Sequence, residues 1–143
     1  MPSLRKGPSG SLSLLILCFL PGAGTFAQPA AAPATFTASQ LEFFEKEIRP
    51  ILSNRCYACH SHKSKKLKAS LRLDSRAAVL RGGDTGPAAI VGDAAKSLLI
   101  DAVNYGDTYQ MPPQGKLPKT EVAALTRWVT MGLPWPIEAP PGD

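Results

Sequence analysis

Along residues 38–55 the apolar positions keep a helical rhythm. Leu41, Phe44 and Ile48 recur at helical spacing, with Phe43 and Leu52 beside them, and this predicts a helix over residues 39–49. Ser39 and Glu42 have the spacing of a capping box at its start. Glu42, Glu45 and Glu47 fall in the early turns, where the helix dipole favours negative charge. Pro50 is expected to end or kink this helix, because its ring clashes with the preceding turn. The chain should then pass through Ile51 and Leu52 as a short turn into Cys56.

The next stretch, Ser61 to Lys68, is polar and basic and reads as a loop. Ser70 to Leu73 alternates, with Leu71 and Leu73 on one side, and predicts a short extended segment. Asp74 or Ser75 caps a short helix through Leu80, which Gly82 and Gly83 stop. Residues 84–92 form a loop. Asp93 is placed to cap a third helix over residues 94–104, with Leu98, Leu99, Ala102 and Val103 apolar. A second loop, residues 105–117, carries Met111-Pro112-Pro113. Pro118 suits the first turn of a last helix, whose apolar face is Val122, Leu125, Trp128 and Val129. Gly132 ends it and Pro134 prevents its continuation. There are no internal repeats and no convincing strand pairs, so the fold class is all-α, with about four short helices.

Composition adds a domain map. The 143 residues are 44% hydrophobic and 19% charged, ordinary for one domain plus processing segments. Arg5 and Lys6, the apolar run Leu12 to Leu20, and Thr25-Phe26-Ala27 have the layout of a secretory signal over residues 1–27. The apolar run is too short to span a bilayer, so no transmembrane segment is expected after cleavage. Residues 28–38 are a Pro/Ala-rich linker, 39–136 the domain, and 137–143 a Pro-rich tail. Cleavage removes Cys18 and leaves Cys56 and Cys59, so no disulfide framework exists beyond that one pair. The formal charge falls from +5 to +3 as Arg5 and Lys6 leave. Nothing in that balance calls for nucleic acid.

The chemistry is concentrated in Cys56-Tyr57-Ala58-Cys59-His60. Two cysteines three apart, followed directly by histidine, form the attachment pattern of a c-type haem. Both thiols lie on one side of a single turn, where they can add across the two vinyl groups of the porphyrin. His60 then supplies the proximal nitrogen to the iron. One covalent haem c is therefore expected, and the apo-protein should be poorly folded, since the haem faces complete a small core. Covalent haem attachment takes place outside the cytoplasmic membrane in bacteria, which agrees with a periplasmic or cell-envelope location.

An electron-transfer haem needs a sixth ligand, and a methionine sulfur is the usual partner. Met111 lies in a loop stiffened by two prolines and is the favoured residue. Met131, at the end of the last helix, is the other methionine of the mature chain. His62 is too close to His60 to reach the other haem face and is expected at the surface. The leading function is one-electron transfer, with no bond made to substrate. The alternatives are a haem sensor or peroxidase-like enzyme with an open sixth position, a zinc module using Cys56, Cys59, His60 and His62, and a thioredoxin-like dithiol lacking its βαβ frame.

The stretch from Phe44 to Pro136 resembles the planctomycete-type cytochrome c domain, a relative of class I cytochromes c. The resemblance rests on Phe44 to Leu52 leading into Cys56–His60, on Leu71-Arg72-Leu73-Asp74-Ser75, on Gly82-Gly83-Asp84 with Gly86-Pro87-Ala88, on Ser97-Leu98-Leu99, on Met111-Pro112-Pro113, and on Trp128 with Gly132 to Pro136. It implies a class I cytochrome c-like fold, covalent haem at Cys56 and Cys59, and His60 and Met111 as axial ligands. Val91-Gly92-Asp93 lacks a proline often found before that glycine, and Pro118 stands where a Ser or Thr cap is usual. In such domains the first and last helices cross near the haem, which implies contact of Phe44 and Ile48 with Leu125, Trp128 and Val129. Trp128 is read as core rather than as an electron-path residue. Lys63, Lys65, Lys66 and Lys68 form either a solvated loop or a surface steering an acidic redox partner, such as a larger membrane or periplasmic enzyme. Arg72 faces either a haem propionate or Asp74.

Overall fold

The computed structural model describes residues 35–137. The signal segment, most of the linker and the end of the tail fall outside that range. The first element is a rod in three parts: α1 (Ala38–Phe43), a π-helical stretch (Phe44–Ile48) and α2 (Arg49–Arg55). Its cap is not Ser39. Thr37 accepts the Gln40 amide at 3.3 Å, and the Gln40 side chain accepts the Thr37 amide at 2.9 Å. The capping box is the expected motif set two residues earlier, because Thr37 is the residue with extended backbone.

Pro50 does not end the rod. It stands at the first turn of α2, where the missing amide costs nothing. The preceding turn is widened, with the Arg49 amide donating to the Phe44 carbonyl five residues back. That wider turn accommodates the proline ring, and the helix runs on to Arg55 rather than stopping at residue 49. Glu45 and Arg49 pair across it at 2.5 Å.

α3 (Arg76–Arg81) is capped by Ser75, whose hydroxyl accepts the Ala78 amide at 3.1 Å, and stops at Gly82 as expected. At Gly82 φ is +74°, and a Cβ there would lie 1.7 Å from the Gly86 carbonyl oxygen, so only glycine fits. The segment before it differs from expectation at one end. Ala69 and Ser70 have φ of +51° and +52° and belong to a turn, so the open stretch begins at Leu71.

α4 (Leu98–Val103) is shorter than the expected helix over residues 94–104. Asp93 does not cap it. Its carboxylate accepts the Lys96 amide at 3.1 Å and closes a separate turn. Ser97, 1% exposed, locks that turn by accepting the Ile90 amide at 2.8 Å and donating to the Asp93 carbonyl at 2.7 Å. α5 (Lys119–Thr130) follows Pro118 directly, and Gly132, at φ +92°, ends it.

The core forms where α5 meets the π-helical stretch. Phe44, Ile48, Leu125, Trp128 and Val129 are fully buried, as the resemblance implied. Trp135 joins them: its ring is 4.5 Å from Phe44 and 5.8 Å from Trp128. Each such side chain contributes about 1.5–3 kcal/mol on burial. Among the described residues there is no strand, only the isolated bridges Gly83–Gly86 and Ile90–Asp93, so the domain is all-α.

Candidate functional site

The end of α2 builds the site. Cys56 is its C-cap, and the amides of Cys56 and Tyr57 both donate to the Leu52 carbonyl at 3.0 Å. The Cys56 carbonyl in turn accepts the amides of Cys59 at 3.1 Å and His60 at 2.9 Å. The five residues are thereby wound into one tight turn. Ser61 and Ser64 pin its outer side, each hydroxyl donating to the Tyr57 carbonyl, at 2.7 and 3.0 Å. Cys56, Cys59 and His60 all line a single cavity of about 740 Å³, a size that suits an organic cofactor.

His60 is oriented from behind. Its Nδ1 lies 3.2 Å from the Leu71 carbonyl, and with Nδ1–H donating there the Nε2 lone pair is left for a metal. The Leu73 amide donates to the His60 carbonyl at 2.8 Å. Residues 71–73 thus serve two purposes: their backbone holds the histidine, and Leu71 and Leu73 line the cavity.

The loop after α4 brings Met111, Pro112 and Pro113 to the same cavity. Met131, the C-cap of α5, is not among the lining residues. Neither is His62, which is exposed and bound to Asp74 by its amide and ring at 2.5 and 2.6 Å. Arg72 also turns to Asp74, at 3.1 and 3.2 Å, and does not line the cavity. Trp128 lies in the core, its indole N–H donating to the Pro134 carbonyl at 2.9 Å.

The lining fits a flat apolar group with anionic edges. Leu71, Leu73, Leu98, Leu99, Val103 and Leu117 are apolar, Arg55, Lys68 and Lys116 are its charged members, and no carboxylate lines it. Sequence reasoning missed Arg55, Tyr109 and Lys116 here, because no local pattern distinguishes them from surface residues. Burial, reinforced by the charge of Glu121, pushes the Cys56 thiol up to about 12. Among the described residues no group of three or more His, Cys, Asp or Glu side chains is placed to hold a metal ion.

Residues 56–115 match the family model described as Planctomycete cytochrome C. This stretch is similar to a planctomycete-type cytochrome c domain. The match runs from the first cysteine of the motif to the glycine just past Met111-Pro112-Pro113, and so takes in Cys56, Cys59, His60 and Met111 and most of the cavity lining. A cytochrome c domain implies covalent haem c and a role in electron transfer. No curated protein and no solved structure matches the chain.

Proposed function

We propose that this protein is a one-electron carrier holding a single haem c, tethered through Cys56 and Cys59, with His60 and Met111 as the axial ligands. The observation that carries the reading is the convergence of Cys56, Cys59, His60 and Met111 on one cavity, although Met111 lies fifty-one residues beyond His60. The haem supplies the ferrous–ferric couple. The chain's own residues supply the rest: the turn at Cys56 presents two thiols and an imidazole together, the Leu71 carbonyl accepts from the imidazole, and the leucine-lined cavity would shield a bound haem from water. With His60 and Met111 both given to the iron, no open position would remain for a substrate, so the protein is read as a carrier and not an enzyme.

Export belongs to the same reading, as does cleavage after Ala27. No helix among the described residues is long and apolar enough to cross a membrane. The partner is proposed to be a redox protein with an acidic surface. Lys63, Lys65, Lys66 and Lys68 are exposed and have no ion-pair partner among the described residues, and Lys68 also lines the cavity. Their clustered charge would speed encounter with such a surface.

The test is production in a host competent for haem attachment. Mass spectrometry should show the mature polypeptide plus one haem, and the reduced protein should refuse carbon monoxide. The bare polypeptide mass would refute the covalent haem. Ready carbon monoxide binding would instead favour a sensor or peroxidase-like protein with an open sixth position.

A further inference from the structure

The loop that brings Met111 to the cavity lies outside any helix, and two prolines follow the methionine. Pro112 and Pro113 have no amide to donate, so this part of the loop is held through its carbonyls. The Pro112 carbonyl accepts the Tyr105 hydroxyl at 2.5 Å and the Gly115 amide at 3.2 Å. On the other side, the Met111 amide donates to the Ala102 carbonyl at 2.9 Å. The last turn of α4 and the residue two beyond it therefore clasp the methionine from both sides in sequence.

Tyr105 occupies an unusual position to do this. It stands just past Asn104, the C-cap of α4, with φ at +62°. That is where a helix commonly places glycine, and a tyrosine there is strained. The strain is offset by what the side chain reaches. Its hydroxyl meets Pro112, and the Lys116 ammonium lies 5.9 Å from its ring. Both contacts bind the loop that carries the methionine back to α4.

We propose that Tyr105 is a positioning residue for the sixth ligand, its hydroxyl acting through the Pro112 carbonyl to hold the Met111 sulfur in place. The proposal rests on the assignment of Met111 as an axial ligand. Loss of the hydroxyl frees one side of the loop while leaving the ring and the cavity wall unchanged. The population with sulfur displaced then rises about tenfold, the worth of one such hydrogen bond.

The experiment is an imidazole titration of the ferric holoprotein, following the sulfur-to-iron charge-transfer absorption. Tyr105→Phe should bind imidazole about tenfold more tightly than the wild type. Tyr105→Gly relaxes the backbone but also lacks the hydroxyl. It should likewise bind imidazole more tightly, and it carries the same measurement if the Phe variant does not accumulate. A structural role alone would shift thermal unfolding and leave imidazole affinity at the wild-type value, which would overturn the proposal. A wild type without the charge-transfer band would overturn the Met111 assignment itself, and this inference with it.

Discussion

The carboxylate of Asp74 accepts from both the backbone amide and the ring of His62, at 2.5 and 2.6 Å, twelve residues away in sequence. The Arg72 guanidinium completes the set on the same carboxylate. The Asp74 side chain is only 6% exposed, covered by its partners, and it clamps the loop that follows His60. Burial alone would raise its carboxyl, but the hydrogen bonds from Arg72 and His62 outweigh it and hold the group down to about 2, from 3.8. A carboxylate with a depressed folded value stabilises the fold above its unfolded value and loses that contribution as pH falls. The contribution, about 2 kcal/mol, should be complete above pH ~4 and vanish below pH ~2. Asp74→Asn should therefore lower stability in denaturant titrations at neutral pH by about that amount, and the gap between variant and wild type should close as the pH is taken down to ~2.

The sixth ligand gives a spectroscopic expectation. Met111→Ala removes the sulfur without touching Cys56, Cys59 or His60. The holoprotein should keep its covalent haem while its six-coordinate low-spin spectrum becomes high-spin, and the reduced form should gain carbon monoxide binding. Met131→Ala should leave both properties unchanged. An unaltered Met111→Ala spectrum would place the sixth ligand elsewhere.

Trp128 is tied to the chain that leaves α5. Its indole N–H donates to the Pro134 carbonyl at 2.9 Å, and its ring lies 6.1 Å from Phe44 and 5.8 Å from Trp135. Trp128→Phe keeps an aromatic ring but leaves the Pro134 carbonyl without this donor and opens a small void. The loss should be roughly 2–3 kcal/mol, read from thermal or denaturant unfolding of the holoprotein. The haem spectrum should be unchanged, since Trp128 does not line the cavity.

Gly82 combines a left-handed φ of +74° with a Cβ position 1.7 Å from the Gly86 carbonyl oxygen. Both obstacles are backbone, so neither can be relieved by a side-chain rotation. Gly82→Ala should cost roughly 2 kcal/mol or more in unfolding experiments. Because Gly83 and Gly86 line the cavity, the yield of haem-loaded protein should fall as well.

Some features were legible because local chemistry sets them. Cys56, Cys59 and His60 are consecutive in one turn, so their convergence needs no tertiary information. The stops at Gly82 and Gly132 and the start at Pro118 follow from allowed backbone angles. The apolar spacing of Phe44, Ile48, Leu125, Trp128 and Val129 already marked the core-facing sides of the first and last helices, because helical periodicity is a property of each segment by itself.

Other features were set only by the folded chain. Asp93 and Ser39 both have side chains able to cap a helix, and which residue does so depends on what else competes for the nearby amides; here a closed turn takes Asp93 and the extended Thr37 takes the cap. Pro50 forbids a regular helix, yet a widened turn lets the rod pass through it, an accommodation that packing of Phe44 and Ile48 favours. Met111 joins His60 at the cavity through the meeting of segments fifty-one residues apart in sequence. Short-range sterics and periodicity are written along the chain. The choice among competing partners is made only when burial decides which polar groups lose water and must be satisfied by one another.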